Sequence, residues 1–140
     1  MTMEELNQHL GLIEQLEKAQ EMLISLRGAA HPGAAAMTGM PHAPGVKDRI
    51  GDLAIEIADM TAQIQTLSKQ ISEQEPKILK FLAGFKDDKI RMSLRLRFVR
   101  GLSWKEVASI LGRWTTANSV KLACYRALKE RAYTEHGEDG

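Results

Sequence analysis

The stretch KIRMSLRLRFVRGLSWKEVASILGRWTTANSVKLACYRALKER, Lys89–Arg131, decides the fold of this chain. Its apolar residues recur at the three- and four-residue spacing of amphipathic helices, and Gly101 ends the first of these segments. Ser103 and Glu106 have the spacing of a capping box, in which each side chain bonds the backbone N–H of the other residue. The stretch therefore predicts a helix that ends at Gly101, a short helix over Trp104–Leu111, and a third helix after a turn.

The residues around that turn favour a helix-turn-helix. Two helices that cross steeply must approach closely, which suits Ala108 on the first of them and Gly112 in the turn. Thr115 or Thr116 can cap the next helix. The predicted inner faces consist of Val107, Ala108, Ile110 and Leu111 before the turn and of Val120, Cys124, Ala127 and Leu128 after it. No segment alternates as a β-strand does, so the predicted class is all-α, with a helix-turn-helix domain at the C-terminal end.

Charge is distributed unevenly along the chain. Residues 86–131 contain 12 Lys or Arg and 4 Asp or Glu, whereas residues 1–85 contain 7 basic and 11 acidic residues, so the net charge of +1 conceals a basic segment. Such a segment is typical of a surface that binds a polyanion. A solvated lysine-rich face is the alternative, but seven of the twelve cations are arginine and they are interspersed with apolar residues. The pattern favours binding to double-stranded DNA.

The outer face of the third helix begins with small polar residues and then becomes basic, an order that suits a recognition helix in the major groove. The predicted contacts to base edges are Thr116, Ala117, Asn118 and Ser119. The predicted contacts to phosphates are Lys105, Arg113, Lys121, Tyr125 and Arg126. We expect Trp104 and Trp114 to pack against the domain. A three-helix module that binds protein is the alternative to a DNA-binding one.

Residues 1–75 are predicted to form a long helical hairpin or coiled coil. A first helix is expected from Thr2 to about Gly28, and the Pro- and Gly-rich segment 31–47 predicts a flexible loop. The second helix carries an a/d heptad stripe, formed by Ile50, Leu53, Ile57, Met60, Ile64, Leu67 and Ile71. This stripe can pair within the chain or between chains. Because two helices give a thin core, we expect a homodimer, or docking on the C-terminal domain, to complete it.

The other boundaries follow from Pro76 and from the acidic end of the chain. Pro76 suits the first turn of a new helix, so a break is predicted there. Residues 76–133 are then the helix-turn-helix domain, and residues 134–140 are predicted to be an acidic disordered tail.

The residue content points away from catalysis, metals and membranes. Cys124 is the only cysteine, which excludes an intrachain disulfide, and it lies on a predicted inner face. His31 and His42 flank the predicted loop, but no set of three or four ligands accompanies them. The sequence has no glycine-rich phosphate loop, no paired catalytic acids, no secretory signal and no apolar run of ~18 residues. We therefore expect a cytoplasmic protein that is not an enzyme, has no cofactor or metal, and has no membrane partner.

The segment LRFVRGLSWKEVASILG, followed by SVKLACYRAL, resembles the fourth region of bacterial sigma factors. It departs from them in the turn, where WTTANS is longer than the usual linker. A heptad N-terminal region, a Met-, Pro- and Gly-rich loop and this type of recognition helix together resemble small phage and prophage proteins with sigma-region-4-like domains. Several of these act as regulators of late or packaging genes.

The resemblance implies a sequence-specific, DNA-binding transcriptional regulator in a bacterial host cell, with RNA polymerase as a candidate partner. Nothing in the chain is similar to the sigma region that grips the −10 element, so a complete sigma factor is not expected. Two alternatives stay open. One is a small terminase-like subunit for DNA packaging, although there the DNA-binding domain usually comes first. The other is a polymerase-binding adaptor that does not contact DNA.

Overall fold

A computed structural model describes residues 1–30, 44–112 and 115–139 of the chain, with the side chains of residues 1–30, 51–112 and 115–132. Within these residues the fold is all-α and contains no strand, as the periodicity predicts. The helices are α1 (Met3–Ala30), α2 (Pro44–Leu82), α3 (Asp88–Phe98), α4 (Trp104–Leu111) and α5 (Ala117–Asp139). They divide into two compact units, Met1–Ile13 with Ile71–Gly140, and Glu14–Gln70.

The first unit has a core to which all five helices contribute. Its buried residues are Leu6 and Leu10 of α1, Ile78 and Leu82 of α2, Phe85 between α2 and α3, Leu94 and Phe98 of α3, Val107 and Ala108 of α4, and Val120, Cys124 and Leu128 of α5. Full burial of a large apolar side chain contributes about 1.5–3 kcal/mol to folding. The start of α1 and the end of α2 are therefore structural parts of the unit that contains the basic segment.

Local hydrogen bonds fix where α3 and α4 begin. The Asp87 carboxylate accepts from the N–H groups of Lys89 and Ile90 at 2.9 and 3.2 Å and so caps α3. Oγ of Ser103 accepts from the N–H of Glu106 at 3.2 Å, and Oε1 of Glu106 accepts from the N–H of Ser103 at 3.1 Å. The predicted capping box is confirmed. These hydrogen bonds from Ser103 also lower the pKa of Glu106, because they stabilise its ionised form.

The second unit consists of the later part of α1 and the earlier part of α2. Ala19 is buried in it, and on the heptad stripe Leu67 is buried while Leu53, Ile57, Met60 and Ile64 are half-buried. The side chain of Ile50 lies outside the described residues, and Ile71, also half-buried, belongs to the first unit. Met22 and Leu26 of α1 line one cleft together with Met60 of α2, so the two segments lie side by side. The stripe is thus partly covered within a single chain.

The structure corrects three predicted boundaries. Pro76 lies inside α2 and does not break it; burial of Ile78 and Leu82 in the turns that follow offsets the lost backbone hydrogen bond. Residues 44–47 of the predicted loop 31–47 are helical, because α2 begins at Pro44, a position that suits proline; the rest of the predicted loop lies outside the described residues. The segment 134–140 is helical as far as Asp139, where α5 ends, rather than disordered. No proline interrupts this extension of α5, so the helix propagates.

Candidate nucleic-acid interface

Helices α4 and α5 pack closely through small and apolar side chains. Val107 and Ala108 of α4 are buried in one cluster with Val120 and Cys124 of α5. Because alanine projects only a methyl group, the two helix backbones can approach each other here. Gly112 ends α4 with a φ of 126°, which side chains rarely allow. Glycine is therefore the suitable residue where the chain leaves α4.

The outer face of α5 lies opposite its buried stripe. The stripe consists of Val120, Cys124 and Leu128, all under a tenth exposed. At ~100° per residue, the opposite side carries six residues, all exposed: Asn118, Ser119, Leu122, Arg126, Lys129 and Glu130. This face is polar at its start and carries two cations, Arg126 and Lys129, beside Glu130 towards its end, and Leu122 lies between the two parts.

The four predicted base-edge residues occupy the beginning of α5. Asn118 is exposed and Ala117 is half-buried. Oγ1 of Thr116 accepts from the N–H of Ser119, and Oγ of Ser119 accepts from the N–H of Thr116, both at 3.1 Å. Thr116, rather than Thr115, therefore caps α5, and the hydroxyl groups of Thr116 and Ser119 already serve this cap. Asn118 is the longest freely projecting side chain of the four.

The predicted phosphate contacts fall into three groups. Lys105, Lys121 and Arg126 are exposed. Tyr125 is half-buried, and the Lys121 ammonium lies 5.8 Å from the centroid of its ring. Arg113 lies outside the described residues, as does Trp114. Three cations and one phenol are thus placed on the surface of α4 and α5, and their contact with DNA stays a prediction.

Trp104 is a packing residue, as expected. Its ring meets Phe98 edge to face, with centroids 6.3 Å apart, and meets Tyr125 in the same way at 5.9 Å. The Arg97 guanidinium lies 5.4 Å from the Trp104 ring centroid. The half-buried ring therefore joins α3, α4 and α5, and it packs directly against the half-buried Tyr125 of α5.

Some arginines of the basic segment support the fold. Arg91 donates to the carbonyl oxygen of Phe85 at 2.8 Å, and Arg97 donates to that of Leu102 at 3.0 Å. Both side chains are half-buried. Hydrogen bonds of this kind stabilise the loops before α3 and after it. Sequence reasoning alone does not separate such arginines from surface ones.

Arg131 has a similar role at the other end of the basic segment. Its guanidinium lies 4.2 Å from the ring centroid of Phe81 and 4.7 Å from that of Phe85, and it donates to the carbonyl oxygen of Phe81. These contacts join α5 to the end of α2. The cations that remain exposed in the described part of the segment are Lys86, Lys89, Arg95, Arg100, Lys105, Lys121, Arg126 and Lys129.

Two large apolar residues of α4 and α5 are exposed. Ile110, predicted on the inner face of α4, is 60% exposed. The helical period turns Val107, Ala108 and Leu111 inward and leaves Ile110 outside. Leu122 is 53% exposed at the middle of the outer face of α5. Its exposure follows from the sequence, because Leu122 lies two residues from each of Val120 and Cys124 and so falls on the opposite side of the helix.

Cys124 is a core residue. It is fully buried, and this burial raises the pKa of its thiol to about 11, with a partly opposing effect from a hydrogen bond with Ser93. Within the described residues, no three His, Cys, Asp or Glu side chains converge as a metal site. No helix among those same residues has a stretch long and apolar enough to cross a bilayer.

Comparison of the chain with protein-family models, with curated proteins and with solved structures gives no match.

Proposed function

We propose that α4 and α5 form a helix-turn-helix that binds double-stranded DNA, with α5 in the major groove. The observation that carries the proposal is the exposed face of α5, which lies opposite the buried stripe and changes from polar at Asn118 to basic at Arg126 and Lys129. Side chains at the start of such a helix meet base edges, and cations further along meet phosphates. A helix of this diameter fits the major groove, which is about 12 Å wide.

The packing of α4 against α5 supports this assignment. The buried Ala108 and the positive φ of Gly112 suit the close crossing and tight turn of this motif. Lys105 is exposed in the first turn of α4, where the first helix of the motif crosses the DNA backbone. Lys89 of α3, also exposed, lines a cleft with Ser119 of α5 and extends the positive surface at the start of that helix. Together they supply the sequence-independent part of the affinity.

The biological role that fits is a sequence-specific transcriptional regulator of the phage or prophage type. The helices α1 and α2 then serve to join two copies of the chain or to recruit a partner such as RNA polymerase. The half-buried heptad residues Ile57, Met60 and Ile64 support this part of the proposal, because a further helix pair could complete their burial.

Fluorescence anisotropy of labelled duplexes at several salt concentrations tests the proposal. We expect the logarithm of the binding constant to fall with the logarithm of salt concentration, with a slope of several units. Lys121→Ala and Arg126→Ala should each weaken binding to all sequences alike and reduce the slope by about one. Lys69→Ala, an exposed lysine in the second unit, is the matched control and should leave the slope unchanged.

A flat salt response of the wild-type chain would rule out DNA binding. The basic surface would then be a site for protein docking, and the polymerase-binding adaptor would be the function to test. Analytical ultracentrifugation separates the remaining alternatives, because a regulator is expected to be a dimer and a packaging subunit a ring of many copies.

A further inference from the structure

The outer face of α5 contains one large apolar side chain in a polar and basic environment. Leu122 is 53% exposed, and one helical turn away on either side are the exposed Asn118 and Arg126. Lys121 beside it is also exposed. A single exposed leucine is ordinary on a protein surface. The position of this one is not arbitrary, because it occupies the centre of the face that would enter the major groove.

The major groove offers one apolar group to such a side chain. Guanine, cytosine and adenine present hydrogen-bond donors and acceptors at their edges, whereas thymine also presents its 5-methyl group. Leucine has no donor or acceptor of its own and would leave the polar groups of other bases without a partner. An exposed leucine at the centre of this face therefore discriminates in favour of thymine.

We propose that Leu122 contacts the 5-methyl group of a thymine and is a specificity-determining residue of this chain. The inference rests on the proposed function, since it requires α5 to lie in the major groove. Asn118, one turn earlier, is placed to bond the edge of a neighbouring base, and Arg126, one turn later, is placed to bond a phosphate. The three exposed side chains then combine polar, apolar and ionic recognition along one face.

Replacement of thymine by uracil in the duplex tests this contact directly, because dU lacks only the methyl group and keeps the same pairing. A binding site is first selected from a random duplex library with the wild-type protein, and each thymine in it is then replaced in turn. We expect one position at which dU weakens wild-type binding about fourfold, the effect of one buried methyl group. Leu122→Ala should bind the dT and dU duplexes equally.

Two further variants make the test specific. Leu122→Met keeps an apolar side chain and should retain a preference for dT over dU. Met92→Ala removes a comparably exposed apolar side chain, 48% exposed on α3, and should keep the full fourfold effect. Because Leu122 is exposed, thermal melting of Leu122→Ala should match that of the wild type, which separates a lost contact from a lost fold.

The outcomes distinguish this inference from the proposed function. Steep salt dependence with no dU effect at any thymine would overturn the Leu122 contact and leave DNA binding intact. A dU effect that is equally large in Leu122→Ala would overturn it as well, since another residue would then contact the methyl group. Absence of salt-dependent binding in the wild type would overturn both.

Discussion

Replacing Arg131 by alanine tests how the end of α5 is attached to the end of α2. The guanidinium lies over two rings, 4.2 Å from the Phe81 centroid and 4.7 Å from the Phe85 centroid, and it donates to the carbonyl oxygen of Phe81. A cation–π contact at a partly exposed site contributes about 0.5–1 kcal/mol, and the hydrogen bond about 1 kcal/mol. We expect Arg131→Ala to lower the free energy of unfolding by about 2–3 kcal/mol.

Urea denaturation followed by circular dichroism measures this loss as a lower midpoint with an unchanged slope. Lys129→Ala is the matched control, because Lys129 is exposed on the same helix and its loss should change the free energy of unfolding by less than about 0.5 kcal/mol. Arg131→Lys keeps the charge but not the planar group, so it should recover only part of the difference.

Gly84 provides a second perturbation of the same contact. A Cβ added at Gly84 would lie 2.5 Å from Nη2 and 2.7 Å from Nη1 of Arg131, so the guanidinium at the end of this flexible side chain must shift, at the expense of its present contacts. We expect Gly84→Ala to destabilise the wild type by up to the same 2–3 kcal/mol. In the Arg131→Ala background the obstacle is absent, and alanine should stabilise by about 0.4–1 kcal/mol, because it restricts the unfolded chain. An equal effect of Gly84→Ala in both backgrounds would refute this reasoning.

Two further predictions concern buried polar groups. In the folded chain the pKa of the Cys124 thiol is raised to about 11, so the thiol ionises at a lower pH in the unfolded chain. The stability that depends on the protonated, buried thiol is therefore complete below pH 9 and is lost as the pH rises towards 11. Denaturation curves should show about 1 kcal/mol of this loss by pH 10, and Cys124→Ala should lack that component; the same pH dependence in both proteins would contradict it. His9→Leu should unfold at the same urea concentration as the wild type or higher, because Nε2 of the buried His9 has no hydrogen-bond partner among the described residues. Gln74→Ala should lower the free energy of unfolding by about 1 kcal/mol. A lower urea midpoint for His9→Leu than for Gln74→Ala would contradict this account.

Local signals in the sequence suffice for the helices of the basic segment. The capping box of Ser103 and Glu106 and the glycine at position 112 define both ends of α4, which spans the predicted Trp104–Leu111. The period of 3.6 residues likewise identifies the buried Val120 and Cys124 of α5. These features depend on neighbours within a few residues, which is why they can be predicted without a three-dimensional structure.

The missed features depend on residues that are distant in sequence. Pro76 signals a break by its own chemistry, but the burial of Ile78 and Leu82 against other helices outweighs that local preference. In the sequence alone, Arg131 does not differ from the other cations of its segment. Its structural role depends on the rings of Phe81 and Phe85, about fifty positions earlier, which lie next to it only in the folded chain. A sequence pattern therefore identifies a basic surface but does not separate its structural cations from those free to bind a ligand.

The hydrogen bond between His9 and Gln74 joins the start of α1 to the later part of α2 within the first unit. Apolar residues that repeat every three and four positions can shift by one heptad and still meet apolar partners. The Nδ1–H of His9 donates to Oε1 of Gln74 at 2.8 Å. A shift by one heptad would separate these two side chains, so the pair favours one alignment. Nε2 has no hydrogen-bond partner in the part of the chain that the structure describes, so burial of this ring costs some stability while the pair favours a single alignment. That alignment places Leu6 and Leu10 in the core beneath α3, α4 and α5, so a polar residue in α1 helps to define the surface that carries the basic face.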